Sequence, residues 1–173
     1  MTQIKTNFRD TVIYPNRLLG LDNNHPRLKD ELKFIPARNA KSENGRFHFL
    51  VNYQGQQEQL LPEQVMAGYI SKLRTIISLN KLVNTEAVIS VPSYYTQLER
   101  QALLNAAKIA ELNVTRLLNE STAVALDYGI FRRNDLDATN ARNVLFIDFG
   151  HSKLSVFVAA FTKDKATMLA QKH

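Results

Sequence analysis

Val144-Leu145-Phe146-Ile147-Asp148-Phe149-Gly150-His151-Ser152-Lys153-Leu154-Ser155-Val156-Phe157-Val158-Ala159-Ala160 reads as an apolar strand, a short turn and a second apolar strand. Asp148 closes the first strand, where a carboxylate can reach Mg²⁺ or its waters. Gly150 lets the backbone bend and approach a ligand closely. Consecutive N–H groups in such a turn can form an anion nest, and Ser152 or Lys153 can add a side-chain donor. The same residues also suit a plain hairpin turn. Spacing alone does not separate the two.

Working outward, Thr167-Met168-Leu169-Ala170 is expected to pair beside the second strand, and Arg133 to Arg142 reads as a polar, exposed loop. Upstream, Ala87-Val88-Ile89-Ser90-Val91 is a buried-type strand ended by Pro92. Thr96 caps a helix over about 97–110, with Glu99 at the reach-back position of a capping box. Asn113 to Leu118 is another strand, and Glu120-Ser121-Thr122 opens a helix to about Gly129. Strands alternating with helices argue for an α/β layered domain, and the short turns between the last strands add a hairpin to a mixed sheet.

The remaining sequence divides at a proline. Residues 1–60 are turn-rich, with a small antiparallel meander over about 34–60: Glu43-Asn44-Gly45 and Gln54-Gly55 are the turns around the strand Phe47 to Tyr53. Leu61-Pro62-Glu63 opens a long helix assigned to 61–86, with Val65, Tyr69, Leu73, Ile76 and Ile77 as its apolar face. Residues 87–173 are the α/β core.

Composition narrows the function classes. The 173 residues are 45% hydrophobic and 22% charged, an ordinary globular balance. With no cysteine there is neither a disulfide framework nor thiolate chemistry. No apolar run approaches the ~20 residues of a membrane helix, and the first residues carry no apolar signal region; a cytoplasmic location is the expectation. The net charge is +6, but the basic residues are scattered without interleaved aromatics, so nucleic acid is not the expected partner. The four histidines show no metal-ligand spacing, and no Gly-x-Ser-x-Gly elbow is present. Tyr94 and Tyr95 read as core residues.

Several runs carry a family resemblance: Val91-Pro92-Ser93-Tyr94-Tyr95, Arg100, Ala106 to Val114, Arg116-Leu117-Leu118-Asn119-Glu120-Ser121-Thr122-Ala123-Val124-Ala125 and Tyr128-Gly129-Ile130. Together they resemble the nucleotide-binding domain of the seventy-kilodalton heat-shock chaperones. Ile147 to Ser152 is similar to the one-hundred-ten-kilodalton branch, in which His-Ser replaces Gly-Gly-Thr. Thr11 to Leu21 and Gln64 to Leu73 match less tightly. Asn119 to Ala123 resembles the chaperone motif rather than that of a sugar kinase or actin relative.

The resemblance implies an actin-like (ribonuclease H-like) ATPase lobe that binds ATP or ADP with Mg²⁺. It implies roles for unfolded clients and a seventy-kilodalton partner chaperone on which the larger branch drives nucleotide exchange. The family's Gly-rich first phosphate loop and the lobe with its adenosine pocket are not matched, so little nucleotide binding is expected from this chain alone. Glu120 falls at the family's glutamate near magnesium and the attacking water; read by itself, without the resemblance, it is a carboxylate that complements a helix dipole. Asp148 matches the magnesium-side aspartate, through water, and Gly150 to Lys153 the second phosphate loop. Asn16 stands where the family places a catalytic lysine, and a neutral amide cannot stabilise charge on a transferring phosphate. Pro92 and Arg100 match relay positions toward a substrate domain; read by themselves, Pro92 ends a strand and Arg100 is a solvated or ion-paired helix residue. With Asn16 and His151, the other reading is a degenerate module that binds proteins and has lost its nucleotide chemistry.

Overall fold

The computed structural model describes residues 5–36, 38–41, 44–80, 86–150 and 153–173. Glu43, His151 and Ser152 lie outside the described residues. The chain divides into two units, 1–87 with 95–116 and 88–94 with 117–173. The boundary runs through β4 (Glu86–Val91) and β5 (Asn113–Asn119), which pair with each other.

The first unit holds the meander. β1 (Asn39–Lys41), β2 (Phe47–Tyr53) and β3 (Gln56–Leu60) are antiparallel in that order. Gln54 and Gly55 join β2 to β3 with φ of 51° and 83°, the paired left-handed geometry of a two-residue hairpin turn. Alternation along β2 buries Phe47, Phe49 and Val51 against Leu18, Leu21, Leu28 and Ile35, several of them from α1 (Pro26–Leu32) and the turns flanking it.

α2 spans Pro62–Leu79, and the chain is already in β4 at Glu86. Pro62 starts it, and the Leu61 N–H donates to Gln64 Oε1 at 2.8 Å. Its buried face differs from the one the apolar spacing picks out. Glu63, Ala67 and Ile70 are buried, whereas Tyr69, Leu73 and Ile76 are exposed. α2 packs on α3 (Gln97–Ile109), whose buried face is Glu99, Ala102, Leu103, Ala106 and Ala107. An alanine-rich partner favours close contact with a small residue such as Ala67, which hydrophobicity counting underweights. Tyr69 and Leu73 instead line an open groove with Ile13, Tyr14, Pro15, Asn16 and Met66.

Three carboxylates are buried in this unit, each held by an arginine. Glu31 pairs with Arg17, Glu63 with Arg46 at 2.6 Å, and Glu99 with Arg27, which also approaches Glu31 at 3.7 Å. Glu99 makes the expected capping box as well, accepting from the Thr96 N–H at 2.8 Å. Such pairs must stay complete, because removing one partner strands a buried charge.

In the second unit β6 (Arg142–Phe149), β7 (Leu154–Thr162) and β8 (Lys165–Lys172) form an antiparallel sheet. One mixed sheet does not form among the described strands, which fall into three sheets: the tight β6–β7 and β7–β8 connections satisfy these backbone groups locally. α4 (Glu120–Phe131) covers one face. Ala125 packs there with Phe157, Ala159, Phe161 and Leu136, and Phe146 stacks on Phe157 at 4.7 Å with Tyr128 edge-on at 5.6 Å. Leu136 is thus buried within the stretch expected to be an exposed loop, and Asp137 beside it makes a tight turn, accepting from the Thr139 and Asn140 N–H groups at 2.7 and 3.0 Å. Leu145 and Ile147 alternate to the other face and are exposed.

Candidate functional site

β6 delivers Asp148, exposed, to the edge of the turn, where its register partner across the hairpin is Ser155. Gly150 follows. Its φ is not positive, and among the described residues other than its chain neighbours a Cβ there would meet only the Lys153 carbonyl oxygen, at 3.6 Å. Among the described residues no contact requires glycine at this turn. The Gly150 N–H donates to the Lys153 carbonyl at 3.0 Å, so it is spent within the hairpin.

Lys153 returns the chain to β7 and reaches Glu120, the first residue of α4. Its Nζ pairs with Glu120 Oε2, and both side chains are more than half buried, at 23% and 37% exposure. The same ammonium lies 5.6 Å from the centre of the Tyr94 ring, within cation–π range. Tyr94 is half-exposed beside the His173 ring at 5.4 Å, whereas Tyr95 is buried, so only the second tyrosine of the pair is core. Next to Glu120, the Ser121 hydroxyl donates to Gln171 Oε1 at 3.1 Å and lies 3.0 Å from the Ser93 hydroxyl. This chain of hydroxyls ties the β4 exit, the α4 start and β8.

The second unit thus brings Glu120 to the turn that carries Asp148, Gly150 and Lys153, with Pro92 leaving β4 beside Ser93. Asn16 and Arg100 belong to the first unit. Asn16 is exposed in a 3-10 turn, Pro15–Arg17, that follows Tyr14 at φ 54°, and its carbonyl accepts the Tyr95 hydroxyl at 2.5 Å. Arg100 Nε donates to the Tyr95 carbonyl at 3.1 Å. Both residues therefore flank Tyr95. Spacing gave no sign that Tyr94, Lys153 and Glu120 meet, because they come from three separate stretches of the chain.

The described residues do not by themselves make a magnesium site. Among them no three His, Cys, Asp or Glu side chains gather, and the carboxylate at Glu120 already has an ammonium partner. Also among the described residues, no helix is long and apolar enough to cross a membrane.

Comparison with known proteins accords with the motif reading. The family model described as Hsp70 protein matches residues 1–172. The chain is 38% identical to the 97 kDa heat shock protein of Strongylocentrotus purpuratus over 173 residues, covering 98% of this chain and 19% of that protein. It is 38% identical to heat shock protein 110 of Caenorhabditis elegans, covering 96% of this chain and 22% of that protein. It is 39% identical to human heat shock 70 kDa protein 4L, covering 98% of this chain and 20% of that protein. The chain therefore spans about a fifth of the length of the curated relatives it matches. On the family model and these relatives together, the chain belongs to the Hsp70 protein family and matches its 110-kilodalton branch.

Proposed function

We propose that this chain is part of the ATP-binding domain of a heat-shock chaperone of actin-like architecture, and that Asp148 to Lys153 is one of its phosphate-facing turns. The observation that carries the reading is the Lys153–Glu120 pair, which joins the turn to the start of α4 across 33 positions. The two segments that the family resemblance assigns to nucleotide are thereby neighbours. Within this reading Asp148 faces the metal-bound phosphate side through water, and the backbone at Gly150 gives the ligand room. Pro92 and Arg100 relay nucleotide state, and the longer protein acts in the cytoplasm on unfolded clients and on a seventy-kilodalton partner by promoting nucleotide exchange.

Asn16 favours a second reading, a protein-interaction module without turnover. It is a neutral amide where the resemblance calls for a cation, and phosphoryl transfer depends on such charge.

Calorimetric titration tests the first reading. The 173-residue chain should bind ADP and ATP with Kd weaker than ~1 mM, since one turn supplies few of the contacts that a tight site needs. A micromolar Kd would overturn the view that further elements complete the site. The exchange role is tested by the release of labelled ADP from a seventy-kilodalton chaperone: faster release on adding the longer protein supports it, and an unchanged rate favours the second reading.

A further inference from the structure

We infer that Lys153 is the built-in counter-ion of Glu120 and keeps a divalent cation off that carboxylate. The inference rests on the phosphate-turn reading above and concerns the cofactor demand of that site.

Geometry gives Lys153 three reasons to stay. It pairs with Glu120 Oε2, its side chain is three-quarters buried, and the Tyr94 ring faces its ammonium at 5.6 Å. A lysine head group is a compact point charge with three donors, suited to this mixed anionic and aromatic setting. The pair also lies within one unit, so it does not depend on the other. A divalent ion arriving at Glu120 would have to displace a cation that is tethered to the same hairpin and therefore present at high effective concentration. If it bound without displacing Lys153, it would sit beside a like charge in a partly desolvated site. The donor set agrees: no cluster of three metal-ligating side chains occurs among the described residues. The chain thus lacks a lysine at Asn16, where the resemblance expects one, and carries one at the phosphate turn instead.

The test uses Mn²⁺ as the probe, followed by electron paramagnetic resonance of the free ion, on the 173-residue chain and on Lys153→Met, Lys153→Arg and Lys153→Met/Glu120→Gln. The native chain and Lys153→Arg should take up no Mn²⁺ at millimolar concentration. Lys153→Met should bind it roughly tenfold or more tightly, the scale on which changes next to a metal alter affinity, and the double variant should lose that gain. Equal Mn²⁺ binding by the native chain and Lys153→Met would overturn the inference. A second measurement needs no change at Lys153: its rate of reductive methylation should be well below that of the exposed Lys163 and Lys165, and should rise in Glu120→Gln. Labelling of Lys153 as fast as of those two lysines would also overturn it. ADP titrations of the same variants in EDTA separate the two claims. Mn²⁺ uptake by Lys153→Met, with no ADP-dependent amide shift in any variant at tens of millimolar ADP, would sink the phosphate-turn reading while sparing the counter-ion.

Discussion

At Gly20 the backbone runs at φ 68°, and a Cβ would stand 2.8 Å from the carbonyl carbon and oxygen of Leu98 and 2.9 Å from the Glu99 nitrogen. At Gly150 the φ is ordinary, and among the described residues other than its chain neighbours the nearest atom to such a Cβ is 3.6 Å away. The first glycine lets the segment after Leu18 and Leu19 lie directly on the start of α3, so the fold demands it. The second has no such close contact among the described residues. The two regions also differ in how they hold charge. Around Gly20, Glu31 and Glu99 are buried with arginines as structural pairs; beside Gly150, the Glu120–Lys153 pair is part of the candidate site.

Substitutions can break that contrast. Gly20→Ala should have the largest effect, about 3–5 kcal/mol of lost stability, from backbone strain added to a backbone clash. Chemical denaturation reads it directly, and a loss below ~1 kcal/mol would mean that the α3 contact yields easily. Arg27→Met comes next at about 2–3 kcal/mol, because Glu99 stays buried with its Thr96 bonds while the charge loses its arginine partner. Gly150→Ala should change stability by less than ~0.5 kcal/mol. A drop comparable with that of Gly20→Ala would erase the distinction between the two turns.

The smallest effect is expected with pH, at Asp137. Hydrogen bonds from the Asn140 and then the Thr139 backbone hold its carboxyl at about 2, below the usual 3.8. A depressed carboxyl stabilises the fold above its unfolded value, and that contribution fades as pH falls through about 2. Carbon NMR of Asp137 should therefore show a midpoint near 2; a midpoint near 4 would mean that the turn at 137–140 opens in solution.

Much of this was legible where the signal was local. The capping box at Thr96 and Glu99 spans three residues, the Gln54-Gly55 turn two, and the apolar strands around Asp148 announced a hairpin. What failed was pairing at a distance. Glu99 meets Arg27 across 72 positions, so a residue read as a cap is also half of a buried ion pair. The face of α2 was misjudged because packing against an alanine-rich helix selects small residues, while Tyr69 and Leu73 carry more hydrophobicity but line a groove. Leu136 was hidden among polar neighbours, and a lone apolar residue has no period to reveal it. At the candidate site the motif gave Glu120, Asp148 and Gly150, but nothing in the sequence linked Lys153 to Glu120 or to Tyr94.

The most direct test of the phosphate turn is a map of backbone amide shifts in the 173-residue chain during titration with ADP to tens of millimolar. The account predicts shifts concentrated at Gly150 and Lys153, saturating weakly, with Gly20 unmoved. Shifts at Gly20 with none at Gly150 would contradict it.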